Sequence, residues 1–199
     1  MYDDPRAALT SIKGIRDVGT YSSRNSSKGA LIPETFAIFK EIRDEIDVFK
    51  LRRQVLVENC LHKRSFETRR KIWNAIIHRY LSIAPNWVGR SLSISTSSGI
   101  ASPEFVSLAY LHFSLRDRLI FDFITGSVWR NWKKQTTYVD RGAVLRFFEE
   151  RSKTYPQIKK WSDTPRKKLA GNVLSSMRDF GVLRGSQKKY IQRPSVAAE

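Results

Sequence analysis

Three histidines, one cysteine and a few carboxylate clusters are the side chains of this chain that could make or break bonds. His62, His78 and His112 form no HxxxH pair and no Cys/His pair at the spacing a metal site needs. Asp44, Glu45 and Asp47 crowd one stretch. A metal-dependent nuclease would need such acids to converge with a lysine on a sheet, and the pattern offers no such sheet. Glu149 and Glu150, beside Arg146 and Lys153, have the spacing of ion pairs on a helix surface. No P-loop, GxGxxG or GxSxG motif occurs. The expectation is a protein that is not an enzyme, with no metal, no cofactor and no small-molecule substrate. The chemistry that remains is charge. Lysine and arginine number 36 against 19 acids, a net charge of +17. That excess points to a polyanionic partner, nucleic acid first and an anionic membrane surface second.

Two stretches arrange the cations in a way that could meet phosphates. The first is Trp161 to Arg193. Ser162, Asp163 and Thr164 are N-cap types and Pro165 suits the first helical position. Leu169, Val173, Met177 and Phe180 then make one apolar stripe, with Leu174 beside it, and Gly181 falls where a left-handed C-cap belongs. Two short β runs around Gly185-Ser186 follow as a hairpin. A helix with a basic start and a basic hairpin is winged helix-turn-helix grammar. Its candidate DNA-binding residues are Ser162, Thr164, Arg166, Lys167, Lys168, Lys188, Lys189 and Arg193. A small surface helix with a solvated cationic end is the plainer alternative.

The second stretch lies upstream. Lys63, Arg64, Ser65, Thr68, Arg69, Arg70 and Lys71 straddle a polar turn and the start of a helix reaching about Leu81. Aligning Thr68 with Thr164 sets Arg70 on Arg166 and Lys71 on Lys167, and sets Trp73, Ile77 and Leu81 on Leu169, Val173 and Met177. Two related DNA-reading modules would explain this; chance would too, since capped amphipathic helices are common. Cations at a helix start oppose its dipole, so an anion there would compensate.

The elements that must carry these residues are mostly helical. Residues 1–29 read as a flexible arm and 30–83 as a helix-turn-helix-like lobe. In that lobe Pro33 and Glu34 open a helix with the stripe Phe36, Phe39, Ile42, Ile46 and Phe49, followed by a helix from Lys50 to Cys60. Residues 84–102, with Pro85, Gly89, Gly99 and many serines, read as a loop or linker. Residues 103–135 form an apolar helical middle, interrupted at Thr125-Gly126. In 140–193, the winged lobe, Asp140 caps a helix to Arg151 and Tyr155 to Trp161 adds a short second one; 194–199 is a tail. Hydrophobic residues make up 41%, enough for a core. Cys60 alone excludes an internal disulfide and reads as a buried thiol. The apolar runs around Arg116, Asp117 and Arg118 are too short to span a bilayer, which needs about 20 residues. The expectation is a cytoplasmic protein.

GALIPET, ENCLHKRSFETRRKIWNAIIHRYL and WSDTPRKKLAGNVLSSMRDFGVL together resemble BrxA, small proteins of the BREX bacteriophage-defence clusters. The likeness covers roughly residues 21 to 193. It implies a helical protein with winged-helix-like parts that binds DNA and works beside the methyltransferase, ATPase and other BREX components. It carries no catalytic motif. The resulting expectation is a non-enzymatic double-stranded DNA-binding protein with weak sequence preference. Two alternatives stand beside it: an assembly subunit docking other BREX proteins through its apolar middle, and an RNA-binding protein.

Overall fold

The computed structural model describes residues 15–26, 28–42, 45–82, 87–134, 137–186 and 188–194. The protein is mainly helical with one small three-stranded antiparallel sheet. Two compact units divide it. The first takes Leu31–Arg116 with residues up to Asp17; the second takes Val18–Ala30 with Asp117 onward.

In the first unit, α1 (Ile32–Lys40) carries Pro in its first turn and buries Ile38 and Phe39. Its apolar stripe ends there. Phe49, expected on the same stripe, sits on α2 (Val48–Leu56) and is 87% exposed, because Asp47 caps a new helix with bonds from the Phe49 and Lys50 N–H groups. α2 buries Leu51, Val55 and Leu56. The chain then turns through Asn59 and His62, both with left-handed backbone, and enters α3 (Phe66–Ile76). Cys60 lies in this turn, half-buried rather than in a core. A π turn, Ile77–Leu81, extends α3 and buries Tyr80.

Within the expected linker at 84–102, Trp87–Ser95 is a helix, and a 3-10 turn, Thr96–Ser98, leads from it into a loop to Ser102. α4 (Trp87–Ser95) buries Val88, Leu92 and Ser95, a helical spacing. Its serines do not break it, because their hydroxyls bond back to nearby carbonyls: Ser91 to Trp87 at 2.8 Å and Ser95 to Leu92 at 2.8 Å. Pro85 lies outside the described residues. α5 (Pro103–Leu115), capped by Ser102, closes the unit around Phe105, Ala109 and Phe113.

The apolar middle is therefore not one body. It divides at Arg116 and Asp117, where Asp117 caps α6 (Arg118–Phe123) of the second unit. At Thr125-Gly126, where an interruption is expected, the α-helix gives way to a π turn, Ile124–Val128, which leads straight into α7 (Trp129–Lys133). Next come β1 (Tyr138–Val139) and α8 (Arg141–Ser152), capped by Asp140 through the Ala143 N–H at 2.7 Å. The short second helix is a single 3-10 turn, Pro156–Ile158. α9 (Asp163–Asp179) follows, then β2 (Leu183–Arg184) and β3 (Lys189–Ile191). The sheet order is β1-β3-β2.

The arm expected at 1–29 is packed where it is described. In the first unit Ile15 is buried. In the second, Tyr21 is buried and donates to Asp122 at 2.6 Å, and Asn25 donates to Asp117 at 2.7 Å. The Arg118 guanidinium lies against the Tyr21 and Tyr155 rings and donates to the Val18 and Gly19 carbonyls. Residues 1–14 lie outside the described residues, as do 195–199 of the expected tail.

Candidate nucleic-acid interface

α9 is positioned by its apolar stripe. Leu169, Val173, Leu174, Met177 and Phe180 are all buried, as the spacing predicts. It ends as predicted too. Gly181 has φ +75°, its N–H donates to the Arg178 carbonyl, and the Val182 N–H reaches Met177 at 2.8 Å. Those two bonds form a Schellman stop, which an L side chain at Gly181 would strain. The start of the helix differs from expectation. Ser162 holds the N-cap backbone position but its hydroxyl caps nothing, and Pro165 is the third helical residue rather than the first. Proline is tolerated there because the early N–H groups have no intrahelical partner.

With one face buried, the opposite face turns outward. Thr164, Lys167, Lys168, Gly171, Asn172, Ser175 and Arg178 follow helical spacing along one side of a groove of about 1130 Å³. Arg141 from the start of α8 borders it, as do Ser186 and Lys189 from the β2–β3 hairpin. The lining holds five cations (Arg141, Lys167, Lys168, Arg178, Lys189) and no Asp or Glu, although Arg178 donates to Asp179, next to it in the chain, at 2.8 Å.

The predicted residues of this lobe divide into four groups. Thr164, Lys167 and Lys168 meet in the groove. Arg166 is turned to the other side of α9, paired with Glu149 at 3.2 Å. Glu149 thus pairs across helices rather than with Arg146 or Lys153 along its own, and Arg146 approaches Asp140 at 3.9 Å. Lys189 is only 6% exposed. Its ammonium donates to the Gly185 carbonyl at 2.7 Å and to Ser186 at 2.5 Å, so it braces the hairpin turn. Burial lowers its pKa, with Arg178 adding to the effect and Asp179 opposing it. The turn also needs Gly185: φ is +97°, and a Cβ there would collide with the Lys188 carbonyl. Ser162, Lys188 and Arg193 are exposed outside the groove lining.

The sequence reading missed Arg141, Arg178, Gly171, Asn172, Ser175 and Ser186. A signal for most of them was present. Gly171, Ser175 and Arg178 stand seven, eleven and fourteen residues after Thr164, one helical face opposite the apolar stripe.

The upstream cations are arranged differently. Ser65 caps α3, accepting from the Thr68 N–H at 3.1 Å and donating to the Thr68 hydroxyl at 2.9 Å. Arg69 donates to the Leu56 carbonyl at 3.1 Å and to the Lys63 carbonyl at 3.0 Å, tying α3 to the end of α2. Lys63 pairs with Glu34 at 2.9 Å. Arg70 and Lys71 both pair with Glu67, at 2.8 and 3.4 Å. Glu67, in the first turn, supplies the negative charge the dipole favours, so these cations need no external anion to balance them. Arg64 is exposed.

His78 bonds the Arg116 carbonyl at 3.0 Å. His112 is fully buried with both ring nitrogens unbonded, and burial pushes its pKa down to about 4, with Arg116 adding to the effect. Among the described residues no three His, Cys, Asp or Glu side chains gather to hold a metal, and no helix is long and apolar enough to cross a membrane. Asp44 lies outside the described residues.

A mainly helical protein whose small sheet borders a carboxylate-free cationic groove is, by chemistry, a candidate polyanion binder. Residues 19–199 match the BrxA family, and the chain belongs to it: it is a BREX-associated protein of antiphage defence. The match extends slightly beyond the stretch whose motifs carry the resemblance. The crystal structure of an uncharacterized protein from Magnetospirillum magneticum resembles it at TM-score 0.69 and 16% identity, over 90% of this chain and 88% of that one. At that identity the likeness concerns the fold alone. No protein with a curated description matches the sequence.

Proposed function

We propose that this protein is a non-enzymatic, double-stranded DNA-binding member of a BREX system, gripping phosphates through its second unit. The observation that carries the reading is the groove along α9, with five cations and no carboxylate. The order of elements supports it: α6–α7, β1, α8, the 3-10 turn, α9, then the β2–β3 hairpin, with β1 pairing β3. That is the order of a winged helix-turn-helix, in which the last helix enters the major groove. Gly171 and Ser175 present little to read a base edge, and Asn172 donates to the Asn25 carbonyl. Phosphate contact therefore dominates and sequence preference is weak. Anisotropy titration with duplex DNA at several salt concentrations tests this. Absence of binding at low salt refutes it, and competition by matched RNA duplex decides between the two nucleic acids.

A second reading has its own observation. Trp129 and Trp132 on α7 are 54% and 41% exposed, and rings left in solvent are a usual anchor for a partner protein. Other BREX proteins are the partners this reading names. Co-purification that survives high salt and is lost in Trp129→Ala with Trp132→Ala supports it; co-purification indifferent to those changes refutes it.

A further inference from the structure

The small sheet has a face that the α9 groove does not use. Tyr138 on β1 stands opposite Tyr190 on β3, and Tyr190 stands opposite Arg184 on β2. The pleat sends Val139, Leu183 and Ile191 into the core and leaves this row of three in solvent. The two tyrosines are each 39% exposed, their ring centroids 6.1 Å apart and their planes tilted by 60°. Arg184, Lys188 and Arg193 are exposed on the same strands and their flanks, and residues 183–194 contain no Asp or Glu. Lys189 is turned to the other side, engaged by the Gly185 and Ser186 carbonyls, so it does not belong to this surface.

Cross-strand pairing explains why two aromatic rings meet on a sheet. It does not explain why the β2–β3 hairpin that carries Tyr190 also carries three exposed cations and no Asp or Glu. Exposed rings bordered by cations suit unpaired bases: each base offers a π face to a ring, and its phosphate meets a guanidinium or ammonium. A duplex does not supply this ligand, since its bases are stacked on each other. We propose that the solvent face of the sheet binds single-stranded nucleic acid, with unpaired bases stacked on Tyr138 and Tyr190 and a neighbouring phosphate held by Arg184. The site is separate from the α9 groove and stands whether or not the groove takes duplex DNA.

The test uses the full chain and fluorescent oligo(dT), oligo(rU) and a duplex, followed by anisotropy. The unaltered chain binds at least one single strand, and the tighter of the two identifies whether DNA or RNA is the source. Tyr138→Ala with Tyr190→Ala weakens single-strand binding by at least about fivefold per ring, while Tyr138→Phe with Tyr190→Phe keeps it, because phenylalanine retains the stacking face. Duplex affinity of the folded alanine pair stays within about twofold, since the groove's phosphate contacts are untouched. The proposal is overturned if neither single strand binds, if the folded alanine pair binds as before, if the phenylalanine pair loses as much as the alanine pair, or if duplex binding falls in step. Should circular dichroism show the alanine pair unfolded, Arg184→Glu decides. That exposed change leaves both rings in place and is expected to weaken single-strand binding by about tenfold at low salt; unchanged binding overturns the proposal.

Discussion

Lys167→Ala combined with Lys168→Ala should remove about two thirds of the salt dependence of duplex binding. The groove lining supplies five cations, but the Lys189 ammonium is already held by two carbonyls. Arg178 is paired with Asp179 at 2.8 Å, which leaves Arg141, Lys167 and Lys168 for phosphates. At about 0.9 per contact the log–log slope is about −2.7, so raising salt from about 50 to about 200 mM costs about 40-fold in affinity. Without the two lysines the slope falls to about −0.9 and the same change costs about 3.5-fold. Both lysines are exposed, and alanine is at least as good a helix former, so helicity and thermal midpoint should hold. The matched comparison is Arg70→Ala with Lys71→Ala, where both cations pair with Glu67 and the slope should not move. Anisotropy titrations at four or more salt concentrations measure both. A groove double variant whose slope changes by less than about 0.5 refutes the assignment. So does an upstream double variant that flattens the slope equally.

Buried His112, with its pKa pushed down to about 4, should make folding acid-sensitive. Its folded pKa lies below the unfolded value, so its cost is absent above about pH 6.5 and grows as pH falls toward 4, reaching about 2 kcal/mol near pH 5. Urea midpoints at pH 7 and 5 should converge in His112→Phe; an unaltered gap would rule His112 out as the cause. Gly181→Ala should destabilise by about 1 kcal/mol, because φ is +75° at the end of α9, and a thermal melt with no shift would contradict that. Leu169→Ala removes a fully buried contact and should cost about 2–5 kcal/mol in urea denaturation. Asp140→Ala, which deletes the cap bond to Ala143, should cost about 1 kcal/mol by the same assay.

Helix positions were legible wherever an apolar period and a cap agreed. Ser65 and Asp140 cap the helices their positions implied, and the α9 stripe is buried throughout. The α4 helix was hidden because a serine run resembles a loop until its hydroxyls find carbonyls one turn back. The groove was half legible. Lys167 and Lys168 stood out as a basic run, whereas Arg178 sits alone near the far end of the helix, and Arg141 enters from another element.

By itself the sequence determined the charge, the mainly helical class, the α9 stripe with its glycine stop, and the family resemblance. These depend on composition and on contacts within a few residues, which local periodicity encodes. Only the tertiary structure decided which cations are available. Arg69, Arg70 and Arg166 look alike in the sequence to Lys167 and Lys168, yet the first holds two backbone carbonyls and the others meet Glu67 and Glu149. The structure also divided the apolar middle between two units and turned Lys189 inward while leaving Tyr190 outside. The physical reason is that a charge is spent or left available by the groups packed beside it. For Arg69 and Arg166 those groups lie 6 to 17 residues away along the chain, farther than a local pattern reaches.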